Sequence, residues 1–123
     1  MDSATQTELK LNYSSLSDPI PGQHEISNIF GTIINIKEPY FNKGRINQWM
    51  MSVKLVDQSL NQKATNQIKI MNSKRSIQNG GEIIMRNINH AVIQFFASEK
   101  YNLPNVLRIG DILRVQRCQC REH

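Results

Sequence analysis

Three observations predict an all-β domain, a small barrel with one short helix. Apolar and polar residues alternate in several separate runs, as they do along half-buried strands. Those runs are not interleaved with helical segments in a βαβ rhythm, and no stretch carries the apolar period of a long amphipathic helix. The chain has 123 residues, 39% hydrophobic and 20% charged, which suits one core and leaves little for a second.

Residues 1–12 are polar and read as a flexible lead. They hold no apolar h-region, so no secretory signal is expected, and no run approaches the length of a membrane span. An intracellular protein is the default. "YSSLSDPIPGQHE" comes next, broken by Pro19, Pro21 and Gly22 into an irregular approach to the first strand.

"ISNIFGTIINIK" is the first strand, with Phe30, Thr32, Ile34 and Ile36 on one face and Gly31 marking a bulge or strong coil. Glu38 to Gln48 reads as a loop broken by Pro39 and Gly44. "WMMSVKLVD" alternates cleanly: Trp49, Met51, Val53 and Leu55 form the core side, and Met50, Ser52, Lys54 and Val56 the other. Asp57 beside Lys54 reads as a polar pair at the strand's end.

Residues 58–90 form a basic insert, with Lys63, Lys69, Lys74, Arg75 and Arg86 against the single acid Glu82. "NGG" between "QIKIM" and "EIIMRNI" suggests a hairpin, while the Asn/Gln/Lys-rich composition equally suits a long irregular loop. "AVIQFFA" is the next strand. Ala91, Ile93 and Phe95 share one side and Val92, Gln94 and Phe96 the other, so one of the two phenylalanines must leave the core. A short helical connection comes after it, with Ser98 as its expected N-cap and Pro104 limiting its regularity. "GDILRVQRCQC" is the last strand, with Leu113 and Val115 on one side and Arg114 and Gln116 on the other. Arg117 falls on Leu113's side, so exposing it requires a bulge.

This order, with the helix between the third and fourth principal strands, is that of an OB-fold, a five-stranded Greek-key barrel. The fifth strand is missing from the pattern, because the sequence stops at His123.

Net charge is +5, which favours polyanionic partners. Cys118 and Cys120 stand too close for a disulfide framework, and with His123 their spacing is wrong for a zinc site, so no metal is expected. The three histidines join no nucleophile–base arrangement, and no phosphate-binding or metalloprotease motif is present. Neither an enzyme nor a cofactor is expected.

The motifs together resemble a known family. "EPYFNKG", then "SVKLVDQS", then "FFASEKYNLPNVLRIGDILRVQR" are similar to the first OB-fold of the protection-of-telomeres proteins, which include the alpha subunit of ciliate telomere end-binding proteins. The shared features are Pro39-Tyr40 with Lys43-Gly44, Val56-Asp57, Phe96, Leu103-Pro104 and Gly110-Asp111-Ile112. The Tyr13-x-x-Leu16 lead matches as well, so the resemblance runs from Tyr13 to Arg121. The insert is longer than in short members of the family.

The resemblance implies a nuclear, telomere-associated domain that binds the G-rich single-stranded DNA overhang and protects chromosome ends, alongside other telomere proteins and with no small-molecule substrate. It puts Phe96 on the ligand face as a base-stacking platform. Tyr40, in a loop that OB-folds use for binding, either stacks a base or caps the barrel; Phe41 is expected to plug it. Lys37, Lys43 and Arg45 flank that loop as phosphate or base-edge contacts. Gln94, Arg114, Gln116 and Arg117 lie along the expected ligand face, and His123 takes the position of a family aromatic. Two other readings stay open: an OB module that binds only protein partners within a telomeric assembly, and a general single-stranded nucleic-acid binder.

Overall fold

A computed structural model describes residues 12–22, 26–60 and 74–121 of the chain. Residues 1–11, the "QIKIM" segment and His123 lie outside the described residues. Among those described, six strands form one sheet: β1 (Ile26–Asn42), β2 (Gln48–Val56), β3 (Arg75–Asn79), β4 (Glu82–Arg86), β5 (Ala91–Ala97) and β6 (Ile112–Cys120). The sheet closes on itself in the order β1, β2, β5, β4, β6 and back to β1. This is the OB-type barrel the sequence predicts.

The long strand β1 makes closure possible. Its first half pairs with β6 and its second half with β2, and Thr32 faces both partners at the handover, opposite Ile112 and Val56. Gly31 sits beside that crossing because a side chain has no room there. A Cβ would lie 2.9 Å from the Val56 carbonyl oxygen and 3.1 Å from both Leu16 Cδ1 and Leu55 Cβ. The expected bulge falls just after it, between Ile33 and Asn35. It splits the predicted face: Ile29 and Ile33 are buried, Ile36 packs on the core, and Phe30 turns outward.

Strand β1 also runs on through most of the segment read as a loop, leaving only residues 43–47 between it and β2. Pro39 is tolerated inside the strand because a second register shift, between Lys37 and Tyr40, releases the backbone from the ladder there.

The interior is lined by the predicted residues of β2 and β5: Met51, Val53 and Leu55, with Ile93 and Phe95. Leu113, Val115, Cys118 and Cys120 of β6 complete it. Burial pushes the Cys118 thiol up to about 12. Leu16 plugs one end, fully buried, with its N–H donating to Asp57 Oδ2 at 2.7 Å and its carbonyl accepting from the Arg86 guanidinium at 2.9 Å. Asp57 therefore does not pair with Lys54. Its other oxygen accepts from the Ser59 and Leu60 amides, capping the turn that begins there.

The insert departs most from expectation. The "QIKIM" arm of the expected hairpin lies outside the described residues, and the two strands that flank Gly80 and Gly81, β3 and β4, do not pair with each other. They run on in one direction, both parallel to β6 and in one register: Arg75 opposite Ile112, Asn79 opposite Gln116, Glu82 opposite Gln119, Ile83 opposite Cys120. Gly80 and Gly81, at φ 86° and 95°, form the kink between them, and a Cβ on Gly81 would lie 2.8 Å from the Phe95 ring. Because β4 also pairs with β5, the insert fills the slot between β5 and β6 that the sequence pattern left open.

The connection from β5 to β6 holds a single 3-10 turn at Lys100–Asn102. Glu99, not Ser98, occupies its N-cap position, and no side chain caps it. Asp111, only 5% exposed, organises the entry to β6: its carboxylate accepts from the amides of Lys74 (3.1 Å) and Arg108 (3.2 Å), and its carbonyl from Ile33 N–H (2.9 Å). The Gly-Asp-Ile motif is thus a structural clamp between β6, β1 and the insert.

Candidate nucleic-acid interface

Residues directly opposed on neighbouring strands point to the same side of a sheet, so the register fixes which side chains share the outer face. Tyr40 is opposite Met50, and Met50 is opposite Phe96. The neighbouring row runs Lys37, Ser52, Gln94, Glu82, Gln119 across four strand pairings. Simple alternation would put Lys37 and Tyr40 on opposite faces. The bulge at Glu38 and Pro39 brings them to the same one.

The first row is an aromatic platform. Met50 is buried at its centre, Tyr40 is 39% exposed and Phe96 is half-buried. Tyr40 and Phe96 stand two strand spacings apart, about 10 Å. The Lys37 ammonium lies 5.6 Å from the Tyr40 ring centroid, so the cation and the ring form one element of the surface.

At one edge of the platform is the tip of the β1–β2 hairpin. Gly44 (φ 88°) and Asn47 (φ 55°) take the left-handed turn, and Asn47 Oδ1 accepts from the Gly44 N–H at 3.0 Å. This presents Lys43 and Arg45 to solvent, without an ion pair among the described residues. Phe41, expected as a plug, is 42% exposed at the hairpin tip and meets Trp49 edge-on at 5.7 Å. The other flank of Trp49 is covered by the Lys100 ammonium at 5.5 Å.

At the opposite edge is a cleft of about 500 Å³, lined by Phe96, Glu82, Arg117, Gln119, Ile26 and residues 79–81. The bulge needed to expose Arg117 is present. The β1–β6 register slips between Ser27 and Ile29, Arg117 adopts φ 59°, and its N–H donates to Asn28 Oδ1 at 3.0 Å. Two residues from different strands, Phe96 and Arg117, thereby face one cleft. Glu82 carries the single ion pair among the described residues, with Arg121 at 3.1 Å.

A platform of aromatic faces flanked by unpaired cations is the arrangement that holds single-stranded nucleic acid. Comparison with known families agrees: the family model described as Telomeric single stranded DNA binding POT1/CDC13 matches residues 7–123. The chain belongs to this family. No curated protein and no solved structure matched. The POT1/CDC13 family is a DNA-binding class rather than an enzyme class, and among the described residues no group of three or more His, Cys, Asp or Glu is placed to hold a metal ion.

Within this POT1/CDC13 domain the structure divides the predicted site residues. Lys37, Tyr40, Gln94 and Phe96 lie on the two rows, Lys43 and Arg45 on the adjoining tip, and Arg117 across the cleft. Arg114 and Gln116 go elsewhere. Arg114 lies over the Tyr13 ring at 5.8 Å and Gln116 Nε2 donates to the Tyr13 hydroxyl at 3.1 Å. Tyr13 in turn meets the exposed Phe30 edge-on at 5.9 Å, beside a groove of about 560 Å³ with Gly31, Val56 and Ile112 in its lining. Sequence reasoning missed Met50, Ser52, Glu82 and Gln119 on the platform. Met50 and Ser52 were legible as neighbours of the core face of β2; Glu82 and Gln119 required the register of the insert.

Proposed function

We propose that this chain binds G-rich single-stranded telomeric DNA across the Tyr40–Met50–Phe96 platform and so protects chromosome ends in the nucleus. One observation carries the reading: an exposed Tyr40 and a half-buried Phe96 share one cross-strand row, with Lys37, Lys43 and Arg45 at one end and Arg117 at the other. Bases stack on Phe96 and Tyr40, while the cations neutralise the phosphates. Family membership supports telomeric single-stranded DNA as the ligand class. The preference for guanine rests on the resemblance to telomere end-binding proteins.

The test is a titration of the chain with a G-rich single strand against scrambled, double-stranded and RNA controls, repeated with Phe96→Ala. Each stacked base is worth about 1–3 kcal/mol, so Phe96→Ala should weaken the G-rich complex by that much. Equal affinity for all four nucleic acids would remove the telomeric assignment, and an unchanged Phe96→Ala would remove the platform.

A second reading, docking of a protein partner without DNA contact, is favoured by the outer edge of β3, which has no strand partner among the described residues, and by the exposed Tyr101, Val106 and Ile109. Failure to bind any single strand, with stoichiometric co-purification of a partner, would select it.

A further inference from the structure

The platform carries one residue that does not suit backbone binding. Glu82 sits in the polar row between Gln94 and Gln119 and lines the cleft beside Phe96 and Arg117. A carboxylate there repels the phosphates that the surrounding cations attract. Its ion pair with Arg121 uses only Oε2; Oε1 has no hydrogen-bond partner among the described residues. A surface ion pair of this kind adds little to stability and requires no cleft.

We propose that Glu82 reads the Watson–Crick edge of a guanine seated on Phe96. The inference rests on the DNA-binding reading above and names the base that its cleft selects. An ionised carboxylate only accepts hydrogen bonds. Guanine is the one DNA base that offers two adjacent donors on that edge, N1–H and the N2 amino group. Adenine and cytosine each present one amino donor next to a ring acceptor, and thymine one N–H between two carbonyls, so each would turn an acceptor toward the carboxylate. The same edge of guanine ends in O6, which accepts, and the side-chain amides of Gln94 and Gln119 flank Glu82 as donors. Phe96 supplies the stacking face and Arg117 a cation for the attached phosphate. The insert thus contributes base selection as well as a strand.

The experiment is a set of anisotropy titrations of the full chain with a G-rich single strand, with the same strand carrying inosine in place of each guanine in turn, and with an all-thymine strand. Inosine lacks the N2 amino group and changes nothing else. The wild type should lose about tenfold in affinity at one position, the scale of a lost bidentate base contact. Glu82→Ala should weaken the G-rich strand by a similar factor, become indifferent to inosine at that position, and bind the thymine strand as tightly or more tightly, since a repelling charge has gone. Arg121→Ala, which breaks the ion pair and keeps the carboxylate, should retain the inosine penalty. A rise in affinity for every strand in Glu82→Ala would make the residue a source of repulsion alone and overturn the proposal. An inosine penalty that survives in Glu82→Ala, or disappears only in Arg121→Ala, would overturn it too. A wild-type chain that binds no single strand would instead bring down the DNA-binding reading itself.

Discussion

Arg117 links the geometry of the barrel to its ligand, and two substitutions separate its two roles. Its backbone is left-handed at φ 59°, in a bulge held by the hydrogen bond to Asn28. That conformation costs an L-residue roughly 1–2 kcal/mol. Glycine relieves the strain but loses about 0.5–1 kcal/mol of conformational entropy on folding. Arg117→Gly should therefore leave the fold as stable as wild type or more stable, by up to about 1.5 kcal/mol. With an m-value of about 1–2 kcal/mol/M, that is a rise in the urea midpoint of up to about 0.8–1.5 M. Arg117→Ala keeps the strain and should change stability by no more than about 0.5 kcal/mol, as exposed substitutions do. Both remove the same charge, so both should flatten the slope of log K against log salt by about 0.7, the value for one phosphate contact on a single strand. Urea denaturation and binding titrations over a salt series read the two effects independently. Destabilisation by Arg117→Gly of more than about 1 kcal/mol would refute the strain argument. A wild-type slope in both variants would refute the phosphate contact.

Three further predictions concern the barrel. Gly31→Ala should destabilise by about 1–3 kcal/mol, because its Cβ would crowd the Val56 carbonyl, an atom of the ladder that has no side-chain freedom to yield; a wild-type urea midpoint would show that the crossing is looser than these distances imply. Asp111→Ala strands the amides of Lys74 and Arg108 and should cost about 1–3 kcal/mol in the same assay, with Asp111→Asn recovering part of the loss; equal stability of all three would remove the clamp. The Cys118 thiol holds its proton up to about 12 in the fold but ionises near 9.0 when unfolded. The unfolded state therefore releases its proton first, and the stability this thiol contributes is complete below pH 9 and declines as pH rises from 9 towards 12. Urea midpoints on either side of pH 9 test this, and Cys118→Ala should lessen the decline; an identical decline in the variant would contradict it.

How much of the molecule is legible in its sequence depends on how local each signal is. Alternation on β2 is uninterrupted, so Met51, Val53 and Leu55 read onto the core face, and the Phe95-Phe96 pair has to divide between inside and outside. Bulges break that logic. The slip at Glu38 and Pro39 extends β1 through the expected loop and turns Lys37 and Tyr40 to one face, and no local pattern of apolar residues announces it. Phe41 departs from its expected place for the same reason: its position depends on how far past the barrel rim the hairpin continues. The insert is harder still. In β3 only Ile77 is a large apolar residue, and it faces solvent, so the strand has no buried stripe to fix its register in sequence. Its direction, parallel to β6, comes from a pairing between residues far apart in the chain. Arg114 and Gln116 illustrate the remaining limit. Alternation places them correctly on the outside of β6, but the outside of a barrel has several faces, and theirs is occupied by Tyr13.

The central claim is that DNA crosses the Tyr40–Met50–Phe96 platform, and amide chemical-shift mapping during titration with a G-rich single strand tests it most directly. The largest shifts should fall on Lys37, Tyr40, Met50, Gln94 and Phe96, on the hairpin tip from Lys43 to Arg45, and on the bulge at Arg117. Shifts concentrated on Tyr13, Phe30 and Arg114, with the platform silent, would contradict the account and move the nucleic acid to the groove beside Tyr13 and Phe30.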